Sequence, residues 1–351
     1  MTEAITHSKL SFAGAPTGQY LGAATALRFS DTKQELATLL GGCAIFDLSW
    51  RAQITATGKD RVRWLHNMVT NNVRDLVLNR GNYSFVLNAQ GRILGDLYIF
   101  NRGEYLLLET DRSQVETLLT AMKRFIIMDK VELVDSGEAR AGLGLCGPKS
   151  AAILSACGLD IEGMEPLEVR ETSVDGVAAT ILRGPEQKPG WYELWFDSAH
   201  AQAIWDRLAG AGAQPAGAEA LELWRVLRGI PQYGQDIRDR DLPQETEQIQ
   251  ALHFSKGCYI GQEIVERIRS RGQVHRKFTG FEFERMPQPG KYDVEGRTLT
   301  EITTVVRVPA AAGERLLGLG YIRREAATAG DELDLGGIKA RVVDLPFDNL
   351  K

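Results

Sequence analysis

A chain of 351 residues, 44% apolar and 25% charged, has the composition of a globular protein, and its length suits two or three compact units. Its net charge of −5 argues against indiscriminate binding to nucleic acid, and no stretch reaches the ~18 apolar residues of a membrane span. The four cysteines, Cys43, Cys146, Cys157 and Cys258, lie far apart with no C-x-x-C pair. That sets aside a structural zinc, a self-held iron–sulfur cluster and a disulfide framework, so no metal site is expected and a reducing cytoplasm is the expected location.

Residues 1–29 read as a mobile leader, since Met1 to Gln19 has no apolar h-region. Thr32 to Leu40 then reads as a helix stopped by Gly41-Gly42, and Cys43 to Leu48 and Arg51 to Thr57 as strands. Asp60 to Met68 has Val62, Leu65 and Met68 at helical spacing. Tyr83 to Asn88 and Ile93 to Phe100 suit a hairpin across Ala89-Gln90-Gly91. Tyr105 to Glu109 (strand), Ser113 to Phe125 (helix) and Val131 to Val134 (strand) complete two strand–helix–strand units, so residues 50–135 suit a ferredoxin-like α+β layer.

Gly142 to Gly147 spells G-x-G-x-x-G, but Pro148 follows at once and no acid-tipped strand comes at nucleotide-binding spacing, so it reads as a strand entering a helix. Val169 to Ser173 and Val177 to Arg183 form a hairpin across Asp175-Gly176, and Trp191 to Phe196 is an aromatic strand. Helices follow at Ala199 to Leu208 and Glu219 to Leu227. After Phe278 short strands alternate with glycine turns, which suggests a small barrel or sandwich over 276–351. The expected division is thus leader 1–29, an α+β region 30–275 and a C-terminal β-domain.

Four segments carry chemistry. Lys256-Gly257-Cys258-Tyr259-Ile260-Gly261-Gln262-Glu263 packs an amine, a thiol, a phenol, an amide and a carboxylate between two glycines, a density of polar groups that a core strand would not tolerate. His253, Lys256 and Arg267 lie near Cys258 in sequence and favour its thiolate; His253 and His275 are candidates to tune it. Arg228 to Ile237 bends at Gly229 and Gly234 and offers the ring of Tyr233 and the carboxylate of Asp236. In Pro189 to Leu194, alternation sends Trp191 and Glu193 to one face. The fourth is a basic run of Arg267, Arg269, Arg271, Arg276 and Lys277. If Glu263 to Arg269 is a strand, its first three arginines share a face and could hold an acidic tail or an RNA backbone. No RNA-binding module accompanies them.

The 256–263 segment closely resembles the K-G-C-Y-x-G-Q-E signature of the YgfZ-type folate-binding proteins, relatives of the glycine-cleavage T-protein (aminomethyltransferase) that are linked to iron–sulfur enzyme maturation. Arg228 to Ile237 is similar to the R-x-G-x-x-x-Y-G-x-D-I element of that group, and Leu87 to Leu97 resembles L-N-x-x-G-G-I-x-D-D-L. The resemblance implies a T-protein-like cloverleaf: two interleaved α+β subdomains, then a C-terminal β-barrel, around a tetrahydrofolate cavity. It implies that Glu193 accepts the paired donors of the pterin, with Trp191 and Tyr192 stacking and Trp50, Tyr233 and Asp236 contributing walls and acceptors. Lys256, Gly257, Tyr259, Gly261, Gln262 and Glu263 carry the signature, and Cys258 and Asp96 are the candidate catalytic residues. Gly95 stands where the T-protein places its first aspartate, leaving only Asp96.

The expected function is therefore a tetrahydrofolate-binding protein that helps to assemble or repair iron–sulfur clusters in client enzymes. An alternative is a folate-dependent aminomethyl or one-carbon transferase, and a second is a tRNA-modification accessory protein. Folate and iron–sulfur client proteins are the expected partners, with no membrane.

Overall fold

The computed structural model describes residues 6–12, 14–137, 139–272, 274–294, 297–310 and 313–347. The chain forms two compact units, Met1–Ser84 with Leu97–Leu221, and Phe85–Asp96 with Glu222–Lys351.

The first unit holds a six-stranded sheet in the order Val169–Val174, Val177–Arg183, Tyr192–Asp197, Arg140–Cys146, Ala44–Asp47, Gln214–Pro215. All pairings are antiparallel except the last. Leu143, Leu145, Ile181, Leu194 and Phe196 pack with Leu154, Ile204 and Leu208 of the helices Ser150–Ala156 and Ala201–Gly210. Positive φ at Asp175 and Gly176 closes the expected hairpin.

The first two glycines of the G-x-G-x-x-G stretch lie in the strand Arg140–Cys146 and serve packing, and the third, Gly147, turns the chain at φ +129. Gly142 pairs with Trp195, and Gly144 with Phe46 on one side and Glu193 on the other. A Cβ on Gly142 would come 2.8 Å from the Trp195 ring, and one on Gly144 would come 1.9 Å from Phe46. Missing side chains here let large rings cross the strand.

The second sheet takes Ile93–Asn101, Leu106–Asp111, Arg51–Thr57 and Glu132–Asp135 in ferredoxin-like order, with Gly81–Leu87 added at the edge. Residues 17–29, expected within a leader, instead hold the strands Thr17–Tyr20 and Ala23–Ala26. Small Ala23 and Ala26 are buried there, and Thr25 donates to Asp47 at 2.7 Å. Buried Glu35 anchors the following helix, Thr32–Gly41, by accepting from the backbones of Phe29, Ser30 and Gly217 at 2.6, 2.6 and 2.8 Å.

In the second unit six antiparallel strands run in the order Gly290–Val294, Arg297–Ala310, Gly313–Arg323, Arg276–Phe283, Lys339–Val343, Glu332–Asp334. Phe281, Phe283, Ile302, Ile322 and Val342 fill the core. The sheet curls into a half-barrel, in line with the small C-terminal barrel expected from the sequence, and among the described residues Gly290–Val294 and Glu332–Asp334 form its two edges. The close approach is absorbed by glycine: a Cβ on Gly320 would lie 2.2 Å from the Glu301 carbonyl oxygen. The register also shifts between Ile302 and Thr304.

Residues Gln262–Arg271 form a helix, not the strand considered for Glu263 to Arg269. Gly261, at φ +81, turns the chain into it, and Ile264, Val265 and Ile268 follow the helical period on its buried side. Arg267 and Arg269 therefore sit about 200° apart around the helix axis and do not share a face. No described helix is long and apolar enough to cross a membrane.

Candidate functional site

Strand alternation in Tyr192–Asp197 sorts this segment into two chemistries. Tyr192, Leu194 and Phe196 enter the apolar core, which corrects the expectation that Tyr192 stacks on a ligand. Trp191, Glu193 and Trp195 take the opposite face. There the Trp191 indole donates to one Glu193 oxygen at 2.8 Å and the Trp195 indole to the other at 3.2 Å. The Trp191 ring is 3% exposed and meets Phe46 at 4.7 Å and the Lys188 ammonium at 4.5 Å. It is a buried hydrogen-bond donor, not an open stacking platform.

Glu193 has a buried acidic partner, Glu109, from the strand Leu106–Asp111 of the second sheet. The two carboxyls are hydrogen-bonded to each other. Burial, and then the charge of Glu193, hold Glu109 well above the ordinary carboxylate range, so Glu109 keeps its proton. Burial works against an ionised Glu193 too, but the proton offered by Glu109 and the charges of Arg51 and Lys188 outweigh it and hold Glu193 low. The pair is one acid donating to one carboxylate.

Arg51 organises the rest. Its guanidinium donates to Glu109 at 3.1 Å and to Asp111 at 2.5 Å, and it lies 5.8 Å from the Trp50 ring and 5.9 Å from that of Tyr98. Burial, followed by the Arg51 charge, lowers the Lys188 ammonium, although Glu193, Asp111 and Glu109 pull it upward. Arg51 and Lys188 therefore face the Glu193–Glu109 pair, with Asp111 bound to Arg51. Trp50 is buried, donates to the Asp47 carbonyl at 2.9 Å and packs edge-on against Tyr20 at 5.4 Å.

Sequence reasoning placed Glu193, Trp191 and Trp50 but missed Glu109, Asp111, Lys188 and Trp195, and gave Arg51 no role. A signal existed: Glu109 and Asp111 interrupt the apolar run Leu106-Leu107-Leu108 at strand spacing.

The other expected site residues belong to the second unit. Asp236 is fully buried, and its four acceptor positions are filled. One oxygen accepts from Thr303 at 2.5 Å and Thr304 at 2.6 Å, the other from Arg225 at 2.6 Å and the Gln232 backbone at 3.0 Å. It anchors the loop and has no acceptor left for a ligand, which corrects its expected binding role. Tyr233 is half-buried with its hydroxyl 3.5 Å from the Ile93 carbonyl oxygen, and burial, with Asp239 and Asp96 adding, pushes its phenol up to about 12. Asp96 lies half-buried on Ile93–Asn101, on the strand face opposite Gly95.

In the signature segment Lys256 is buried with its ammonium 4.8 Å over the Tyr259 ring. Burial, then Glu266, raises the Tyr259 phenol. Gly257 has φ +97, and Gly261 must be glycine, since a Cβ would lie 2.6 Å from the Asn88 carbonyl oxygen. Gln262 and Glu263 open the helix. Cys258 is exposed, whereas Cys43, Cys146 and Cys157 are buried. The His253 imidazole accepts from the Ser255 backbone at 3.3 Å.

The basic run disperses. Arg269 lies over the Phe254 ring at 4.5 Å, while Arg276 is bound to Asp241, Glu245 and Glu301 at 2.6, 3.0 and 3.2 Å. Among the described residues of the run, Arg269 and Arg276 are thus committed to different partners.

Residues 6–256 match the family described as the GCVT N-terminal domain. The aminomethyltransferase of Rubrobacter xylanophilus is 27% identical over 339 residues, covering 95% of this chain and 91% of that protein. That of Geobacillus kaustophilus is 28% identical over 351 residues, covering 95% of each. The crystal structure of glycine cleavage system aminomethyltransferase T from Bartonella henselae shares the fold, with a TM-score of 0.85 at 21% identity over 95% of this chain and 94% of that one.

Proposed function

Since the chain belongs to the family of the GCVT N-terminal domain, we propose that it binds tetrahydrofolate at Glu193 and transfers a one-carbon group to it, as an aminomethyltransferase-type enzyme. The observation that carries this reading is the buried, ionised Glu193 carboxylate, held by two indole N–H groups and the Glu109 acid. An amino group beside a ring N–H is a donor pair that one carboxylate accepts in a fork; with three of its four acceptor positions taken, Glu193 would receive a pterin by exchanging one of its present donors for the second N–H. Bound tetrahydrofolate would supply the amine that accepts the one-carbon unit. The protein's own residues supply recognition and charge: Glu193 accepts, Glu109 keeps Glu193 ionised in a dry site, and Arg51 with Asp111 fixes Glu109. Trp50 supports Arg51 from the side.

A second reading, folate-dependent assembly or repair of iron–sulfur clusters in client enzymes, is favoured by two observations. Cys258 is exposed beside Gly257, and Gly95 offers no carboxylate where a T-protein has its first aspartate. Asp96 then has to serve any transfer chemistry.

Titration calorimetry with tetrahydrofolate tests the shared element. Binding that survives unchanged in Glu193→Gln removes Glu193 as the anchor. Turnover with an aminomethyl-lipoyl carrier separates the readings: sustained turnover supports the transferase. Binding without turnover, together with a Cys258-dependent gain of cluster activity in a client, supports the second.

A further inference from the structure

The second unit contains a cleft of about 400 Å³, the size of a small-ligand site, with no part in the reading at Glu193. It opens among the strands Arg276–Phe283, Gly290–Val294, Arg297–Ala310 and Gly313–Arg323. Five cations, Arg92, Arg240, Arg276, Lys291 and Arg323, line it against two carboxylates, Glu245 and Glu301.

The carboxylates are already satisfied. Glu301 accepts from Arg238 at 3.0 Å and Arg276 at 3.2 Å and also takes Arg240, which together hold it below the ordinary carboxylate range against its burial. Glu245 takes Arg276 at 3.0 Å and the Leu242 backbone at 3.1 Å. With Asp241, also bound to Arg276, three acids and three arginines form a neutral floor, and the Arg276 guanidinium is stacked 4.5 Å over Tyr321. That leaves Arg92, Lys291 and Arg323 on the walls.

Arg323 spends one donor on the Thr298 carbonyl at 2.7 Å and one on exposed Glu325 at 3.3 Å, and Arg92 gives one to the Arg240 carbonyl at 2.5 Å. Lys291 pairs with Glu301 in the strand ladder, and among the described residues its exposed side chain has no hydrogen-bond or ion-pair partner. A concave wall with surplus positive charge over a pre-organised, rigid floor concentrates anions, and guanidinium forks suit carboxylate or phosphoryl oxygens.

We propose that this cleft is a binding site for a small polyanion bearing phosphoryl or carboxylate groups, gripped by Arg92, Lys291 and Arg323. Half-buried Thr298 lines the same cleft and can add its hydroxyl as a donor.

The test is calorimetric titration of the full chain with pyrophosphate and, separately, citrate, at low and at physiological salt. At least one should bind with one-to-one stoichiometry, and which one binds identifies the oxygen group. Lys291→Glu should weaken that binding about tenfold at low salt, since it replaces an attracting charge by a repelling one, and should leave the melting temperature intact. Lys33→Glu, an exposed reversal in the other unit, should leave the affinity unchanged. The proposal is overturned if neither anion binds, if Lys291→Glu has no effect, or if Lys33→Glu weakens binding equally, which would mark bulk attraction. Binding of a single-stranded RNA with both small anions inert overturns it as well.

Discussion

Glu109 donates its carboxyl proton to Glu193 across the space between two different sheets of the first unit. Two buried acids thus hold a single negative charge, and Arg51 and Lys188 face it. The pH consequences are opposite for the two acids. An unfolded glutamate ionises near 4.5, and folded Glu109 ionises well above that. Between these values the folded state keeps a proton the unfolded chain has lost, so stability falls as pH rises through that window. Glu193, held low, contributes stability above its unfolded value and loses it as pH falls through the folded one. Glu109→Gln retains a donor and cannot ionise, so it should flatten the alkaline limb. Urea midpoints measured across pH check this; an equally steep limb in the variant removes Glu109 as its source.

Glu193→Gln should weaken tetrahydrofolate binding by about 1.5–3 kcal/mol, the scale of a hydrogen bond to a charged group. Glutamine keeps the shape but offers one acceptor oxygen and no charge. Calorimetry gives the comparison, with near-ultraviolet circular dichroism confirming that both indoles remain packed.

Asp236→Ala should destabilise by about 3–5 kcal/mol, because it breaks the buried Arg225–Asp236 ion pair and leaves the guanidinium with Glu222 alone. Thr303, Thr304 and the Gln232 backbone lose an acceptor in the same step. A denaturant midpoint shift below a third of that size contradicts its role as the loop's anchor.

Gly144→Ala adds one methyl group where the Phe46 ring already lies at 1.9 Å from the position of a Cβ. Overpacking of this kind costs about 1–3 kcal/mol. Since Gly144 stands between Phe46 and Glu193 in the sheet, the same variant should also weaken folate binding. Thermal melts and titrations on one preparation measure both.

Cys258 should be alkylated fastest of the four thiols. It is exposed, while burial raises the thiols of Cys43 and Cys157 and slows access to them. Timed labelling with mass-spectrometric mapping decides the matter, and labelling of Cys43 or Cys157 at the same rate in the folded protein counts against a reactive role for Cys258.

Periodicity and turn chemistry, which act between near neighbours, were enough to locate most elements. The strand Arg51–Thr57, the Asp175-Gly176 turn and the shared face of Trp191 and Glu193 were all legible, because alternation and positive φ depend on adjacent residues alone. The Gln262–Arg271 helix was not: two glycines and alternating arginines mimic a strand, and only the packing of buried Val265 with half-buried Ile264 and Ile268 selects the helix. Tertiary structure alone decided the chemistry of Glu193. Its partner Glu109 lies 84 positions away, its counter-charge Arg51 is 142 positions away, and both arrive from another sheet. A carboxyl's protonation depends on desolvation and on charges within a few ångströms, and neither can be read until the chain has brought them together.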